Sequence, residues 1–214
     1  MIEQIVNRTW KELVQEIIKK SDRFSSEKSI VFDFAWKLKC ELKDSILLDF
    51  EKRIYENFSD GQFLDLYFEY EGAKVGIEFK YPKGTKNNSE KKGNTGNSNQ
   101  TQTRIKIIND IKRLSYLVNT EKIDYGVFLM ITNEKPYIFA GNKNVSNEFR
   151  TYLNTLYSIG QLFPKDEKSS REEVICPTDI GFKWNGIESN NLLYHVAWVD
   201  PIILHKNHTL HTSH

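Results

Sequence analysis

The chain has 214 residues, 39% of them hydrophobic and 28% charged, with a formal net charge of +1. That length and mixture suit one domain, or a core with a small appendage, and a charge this close to zero excludes the strongly basic profile of a general nucleic-acid binder, leaving only a local basic surface for such contacts. No apolar stretch approaches the roughly 20 residues of a membrane-spanning helix, and Met1–Ser21 carries Glu3, Glu12 and Glu16 in an amphipathic pattern unlike a signal peptide.

The two cysteines, Cys40 and Cys176, lack Cys-x-x-Cys or Cys/His spacing. Neither a structural zinc site nor a disulfide scaffold is expected. A cytoplasmic protein with reduced thiols and no membrane partner follows as the expectation.

Ile2, Val6, Trp10, Leu13 and Ile17 recur at helical spacing and predict a first helix. A second is predicted from Ser26 to Lys43, with Ser25-Ser26 as caps and an apolar stripe of Val31, Phe34, Leu38 and Leu42. One turn before that stripe stands Glu27, which should face inward at the helix start; an acid is also favoured there simply by the helix macrodipole. Ser45–Tyr55 reads as a strand leading to a turn at Asn57–Gly61.

Two apolar strands follow, Phe63–Tyr70 and Ala73–Tyr81, joined by Glu71-Gly72. Alternation places Leu64, Leu66, Phe68 and Tyr70 on one face of the first strand, and Val75, Ile77, Phe79 and Tyr81 on one face of the second. A two-residue turn with Gly72 at positive φ pairs Tyr70 with Ala73. Counting back sets Asp65 opposite Glu78, with Lys80 on the same face one pleat further. Like charges facing each other across a ladder are destabilising by roughly 0.2–1 kcal/mol, and a divalent cation between them reverses the sign. Hard oxygen ligands suit Mg²⁺ or Mn²⁺, and Lys80 would hold an attacking water or help deprotonate it.

An acid two residues before a lysine occurs five times: Glu41/Lys43, Glu78/Lys80, Glu90/Lys92, Asp110/Lys112 and Asp166/Lys168. Only Glu78 belongs to an apolar strand with a partner acid. The other four fall on helices or polar loops, where they read as surface residues.

Residues 82–101 break every pattern, with Gly84, Gly93, Gly96 and many Asn and Ser residues, and Lys83, Lys86, Lys91 and Lys92 set against Glu90. A loop this long is functional or disordered. Leaving the chain just after Lys80, it could close over a phosphate backbone or be a tolerated insertion. The next helix, about Thr103 to Val118, places Ile107, Ile111, Leu114 and Val118 on one side and Arg104, Lys106, Asn109, Lys112 and Arg113 on a solvated face. Tyr125–Thr132 is a nearly continuous apolar run, expected to be a central strand buried on both sides, with Pro136–Ala140 as its edge neighbour.

Beyond Gly141 the periodicity fades. Phe149, Leu153 and Leu156 suit a short helix, Ser158–Glu172 a polar linker, and Glu173–Pro177 and Leu192–Val199 strands. Phe182, Trp184 and Trp198 give this part its own apolar content, for packing, a dimer surface or a groove. His195, His205, His208, His211 and His214 invite a metal, but no acid or thiol completes a shell, and a frayed terminus is the expectation.

With Asp65 on one strand and Glu78-Phe79-Lys80 on the next, the sequence resembles the PD-(D/E)xK nuclease superfamily, over roughly residues 26–140. Leu64 stands where the family's name has proline. The resemblance implies an α/β protein: a restriction-endonuclease-like core of mixed β-sheet flanked by helices over residues 1–140, and a C-terminal α+β extension over 141–214, packed on the core and serving dimerisation or DNA contact. It also implies a Mg²⁺- or Mn²⁺-dependent nuclease acting on DNA, most readily an endonuclease of the restriction type working as a homodimer. Asp65 and Glu78 would hold the metal with the Phe79 carbonyl, Lys80 would serve the nucleophile, and Glu27 looks like the family's helical Glu, acting on the metal through water. Lys83, Lys86, Lys91, Lys92, Gln102 and Arg104 are candidates for nucleic-acid contact, Gln100 and Gln102 loosely resembling a glutamine of some relatives. The alternatives are a binding or interaction module that keeps the fold without catalysis, and an unrelated α/β domain whose Asp65 and Glu78 sit on a solvent face.

Overall fold

A computed structural model describes residues 1–19, 26–54, 63–83, 96–140, 149–165, 173–189 and 191–206. The expected turn at Asn57–Gly61, the cap Ser25, most of the Pro82–Thr101 loop with Lys86, Lys91 and Lys92, and His208, His211 and His214 lie outside them.

The amphipathic stripes form the two expected helices, α1 (Ile2–Lys19) and α2 (Glu27–Leu42). The Ser26 hydroxyl accepts the Ser29 N–H at 3.3 Å and satisfies one of the orphan donors at the start of α2. Then come β1 (Ile46–Arg53), β2 (Phe63–Tyr70) and β3 (Ala73–Lys80), an antiparallel meander. Glu71 and Gly72 both take positive φ, 50° and 81°, the requirement of a tight two-residue hairpin, and Tyr70 pairs with Ala73.

Helix α3 (Gly96–Asn119) carries the chain back over the sheet, so that β4 (Tyr125–Thr132) lies parallel to β3. Its first turns take residues 96–101, which the sequence assigned to the loop; without side-chain periodicity there, only the backbone pattern reveals them. Pro136–Ala140 is not the edge neighbour of β4: Lys135–Tyr137 is a single 3₁₀ turn with Pro136 in its first positions, where a missing N–H is tolerated. Nor, among the described residues, does an α-helix carry Leu153 and Leu156. Phe149 is buried, Leu153 lies in a turn, and Leu156 begins a short strand, the first of five: β5 (Leu156–Tyr157), β6 (Ile180–Gly181), β7 (Trp184–Asn185), β8 (Ile187–Glu188) and β9 (Asn191–Leu192).

The far edge of β4 is taken by β10 (Ala197–Val199) and β11 (Ile202–His205), both antiparallel to it. Asp200 and Pro201 divide what would be one long strand, as a residue without an N–H must. The whole is an α/β arrangement, a mixed and mostly antiparallel sheet in the order β1-β2-β3-β4-β10-β7, flanked by helices. Among the described residues no helix is long and apolar enough to cross a membrane.

One face of the sheet packs on α1 and α2 through Leu66, Phe68, Val75, Ile77, Phe79 and Leu129. The other packs on α3 through Leu64, Tyr67, Phe128 and Met130, and the same core takes in Tyr137, Phe163, Phe182 and Trp184 from the later chain. Leu64 is therefore on the face opposite Leu66, against the expected alternation. The slip falls at Asp65, between Leu64 and Leu66, where the paired β2–β3 register also ends, at Leu66 against Ile77.

Candidate active site

Strict alternation would carry the ladder on to an Asp65–Glu78 pair. Instead the Asp65 carboxylate takes the backbone N–H of Phe79 at 2.8 Å, replacing a main-chain acceptor. Its carboxyl group also meets that of Glu78 in a hydrogen bond. Two carboxyls can share such a bond only with a proton between them, and a cation is the other way to relieve the contact.

Glu78 is 2% exposed, so the reading in which it lies on a solvent face is wrong. Burial pushes its carboxyl well above the usual range, and repulsion from Asp110 and Asp65 adds to this against the opposing pull of Arg113 and Lys80. Asp65 is raised for the same first reason, desolvation, only partly countered by Lys80 and the Phe79 N–H. Glu27 is raised likewise. It does face inward: one carboxylate oxygen accepts the Tyr81 N–H at 2.7 Å, and the other lies 3.8 Å from Lys80 Nζ. The first turn of α2 is thereby tied to the end of β3.

Lys80 Nζ stands 2.6 Å from Asp110 Oδ2 and donates to its neighbour's carbonyl, Phe79 O, at 3.0 Å. Burial alone would favour the neutral amine. Asp110, Glu27, Glu78 and Asp65 together outweigh it and hold the ammonium above the ordinary lysine range. In this arrangement Lys80 is a charged donor, not a base waiting for a proton.

Asp110 and Arg113 were assigned to the surface, and both are in the site. Arg113 bridges Glu78 Oε1, at 3.2 Å, and Asp110 Oδ1 one helical turn away. The signal was present: Asp110 is three residues past Ile107 and four before Leu114, on the inward stripe itself. The expected solvated face of α3 also fails at Lys112 and Arg104, both buried. The reason is the later chain, whose Tyr137, Phe149, Phe163 and Phe182 cover the side of α3 turned away from the sheet.

Arg104 donates to the Pro136 carbonyl and lies over the rings of Tyr137 and Tyr152, at 5.6 and 5.2 Å. At 3% exposure it has no surface to offer a nucleic acid. Lys83 and Gln102 are exposed. His195 is exposed as well, and His205 on β11 faces Glu3 of α1 at 3.6 Å. Cys40 is exposed and Cys176 buried, both free thiols.

No protein family, curated protein or solved structure matches the chain.

Among the described residues no three His, Cys, Asp or Glu side chains already stand in a metal-holding arrangement. The donor chemistry nonetheless fits a hard divalent ion at the Asp65–Glu78 pair. Four carboxylates (Glu27, Asp65, Glu78, Asp110) share this end of β3 with two cations, Lys80 and Arg113. The Asp65 and Glu78 carboxyls meet there, with Asp110 the strongest repulsion on each, and carboxylate and carbonyl oxygens are the ligands Mg²⁺ and Mn²⁺ prefer.

Proposed function

We propose that the protein is a metal-dependent nuclease that hydrolyses phosphodiester bonds in DNA, an endonuclease of the restriction type. The observation carrying this reading is the meeting of Asp65 and Glu78 beside a buried ammonium, Lys80. In the same reading the meander β1–β3, the α3 crossover and the parallel β4 form a restriction-endonuclease-like core. Residues 141–214 are its extension, whose described strands β10 and β11 complete the sheet beside β4, and the enzyme acts as a cytoplasmic homodimer on duplex DNA.

Asp65 and Glu78 would hold Mg²⁺ or Mn²⁺, with the Phe79 carbonyl as a further ligand. When bound, such an ion polarises a phosphate oxygen and lowers the pKa of a water. The chain's own residues do the rest. Lys80, kept charged by its acidic neighbours, orients the nucleophilic water and donates to the oxygen on which negative charge builds. Glu27 accepts the Tyr81 N–H and so holds the strand end that carries the Phe79 carbonyl and Lys80. Lys83, next in the chain to the basic 84–95 segment, would contact a phosphate backbone.

The test is degradation of plasmid DNA, single-stranded DNA and RNA with Mg²⁺ or Mn²⁺, alongside a Lys80→Ala control. Cleavage of DNA by the wild type, abolished in the variant, is expected; equal cleavage by both refutes the role given to Lys80. A second reading, a non-catalytic binding module, draws on the Lys80–Asp110 and Arg113–Glu78 ion pairs, which partly neutralise the cluster without any metal. Divalent-dependent binding of DNA without cleavage would select it.

A further inference from the structure

Lys80 Nζ lies on the Phe79 carbonyl at 3.0 Å, the same oxygen the site would offer to a metal. Its other close partner is Asp110 Oδ2, at 2.6 Å, which belongs to α3 and not to the strand. A carbonyl oxygen has a second lone pair, but an ammonium hydrogen-bonded to it repels a divalent ion approaching the same atom. A divalent ion on Phe79 O therefore drives the Lys80 ammonium off it.

We infer that Asp110 is a positioning residue: it retains the Lys80 ammonium when a divalent ion takes the Phe79 carbonyl, so that Lys80 moves aside without leaving the site. The inference rests on the metal-site reading given above. Three observations place Asp110 in that role. It is 3% exposed, and Oδ2 is buried with no hydrogen-bond donor among the described residues other than the Lys80 ammonium beside it. Its other oxygen is held by Arg113, which also reaches Glu78 Oε1, so the carboxylate is oriented from the side of the proposed metal pair. And the alternative partner of Lys80, Glu27 Oε1, is further off at 3.8 Å and already committed through Oε2 to the Tyr81 N–H. Without Asp110 the ammonium would fall back on the carbonyl and compete there.

The test is a double-mutant cycle read by Mn²⁺ titration calorimetry in the absence of nucleic acid, on the full chain: wild type, Lys80→Met, Asp110→Asn and the double variant. Lys80→Met removes the competitor and should tighten Mn²⁺ binding about tenfold, whereas Asp110→Asn should weaken it about tenfold, the scale of coupling between contacting residues. In the Lys80→Met background the effect of Asp110→Asn should shrink to about twofold or less. An equal weakening in both backgrounds overturns the inference, because Asp110 would then act on the ion directly. Wild-type protein that binds no Mn²⁺ overturns the metal reading and the inference with it. Should Asp110→Asn fail to fold, a crystal structure of the wild type with Mn²⁺ decides. Nζ off the Phe79 oxygen and still on Asp110 supports the role; Nζ on that oxygen beside a bound ion, or parted from Asp110, overturns it.

Discussion

The two faces of the sheet are built differently. Against α1 and α2 it sets an apolar interface, with Val6, Leu13, Phe34 and Leu38 packed on Leu66, Phe68, Val75 and Ile77. Against α3 it buries charge within its apolar contacts: Glu78 and Asp110 are each at most 3% exposed, and Arg113 joins them. Buried ionic groups add little net stability, since desolvation consumes most of the Coulombic gain. An interface of that kind is better explained by what it can do chemically than by what it holds together, while the opposite face supplies rigidity.

The largest test of this contrast removes the chemistry. Glu78→Ala or Lys80→Ala should lower divalent-dependent DNA cleavage by roughly 10³-fold or more while circular dichroism keeps the native pattern. Normal cutting by either variant would falsify the roles assigned to them. Next come matched truncations of the two interfaces. Leu13→Ala, on the apolar face, should cost about 2–5 kcal/mol in urea unfolding yet leave kcat per folded molecule unchanged. Ile111→Ala, on α3 beside Asp110, should cost a similar amount and lower kcat as well; identical catalytic behaviour of the two variants would erase the distinction between the faces.

A smaller effect is expected at Gly76, whose added Cβ would stand 2.9 Å from Leu64 Cδ1 and 3.0 Å from Ile123 Cδ1. Gly76→Ala should destabilise by about 1–3 kcal/mol through overpacking, a shift visible in the thermal midpoint.

The smallest is a pH effect with a definite sign. Glu27, Asp65 and Glu78 are all raised by burial, so the folded state binds more protons than the unfolded chain. The contribution of the cluster is complete below the unfolded carboxyl values, near about pH 4, and declines as pH rises through the folded ones. With chelator present, Glu78→Gln should flatten that decline by on the order of 1 kcal/mol in urea midpoints compared between pH 4 and 8. A steeper decline in the variant would contradict the burial argument.

How far the sequence could be read follows from the range of the contacts involved. Helices α1 and α2, the hairpin and β4 were legible because each is long enough to show its own period, and the Glu71-Gly72 turn fixes the register that brings Asp65 toward Glu78. Leu64 departs from the alternation where the β1–β2 ladder is interrupted at Asp65, opposite Glu51 at positive φ, which no pattern of apolar residues records. Asp110 lies on the inward stripe of α3, but the Asp110/Lys112 pair reads as an ordinary surface pair of a helix. Arg104 and Lys112 looked solvated because the cover over α3 comes from two-residue strands and turns dozens of residues later, too short to carry a period. Pro136 reads as an extended dipeptide and turns instead, under the carbonyl contact from Arg104.

The indole N–H of Trp10, in the first helix, donates at 3.0 Å to the carbonyl of Val199 in β10. That donor is buried, and its acceptor is synthesised 189 positions later. While β10 is still inside the ribosome, α1 carries an indole with no native acceptor and β4 has a bare edge. The order of translation thus delays completion of the sheet until residues 197–205 have emerged, and a product truncated before residue 197 lacks this fastening of α1 to the sheet.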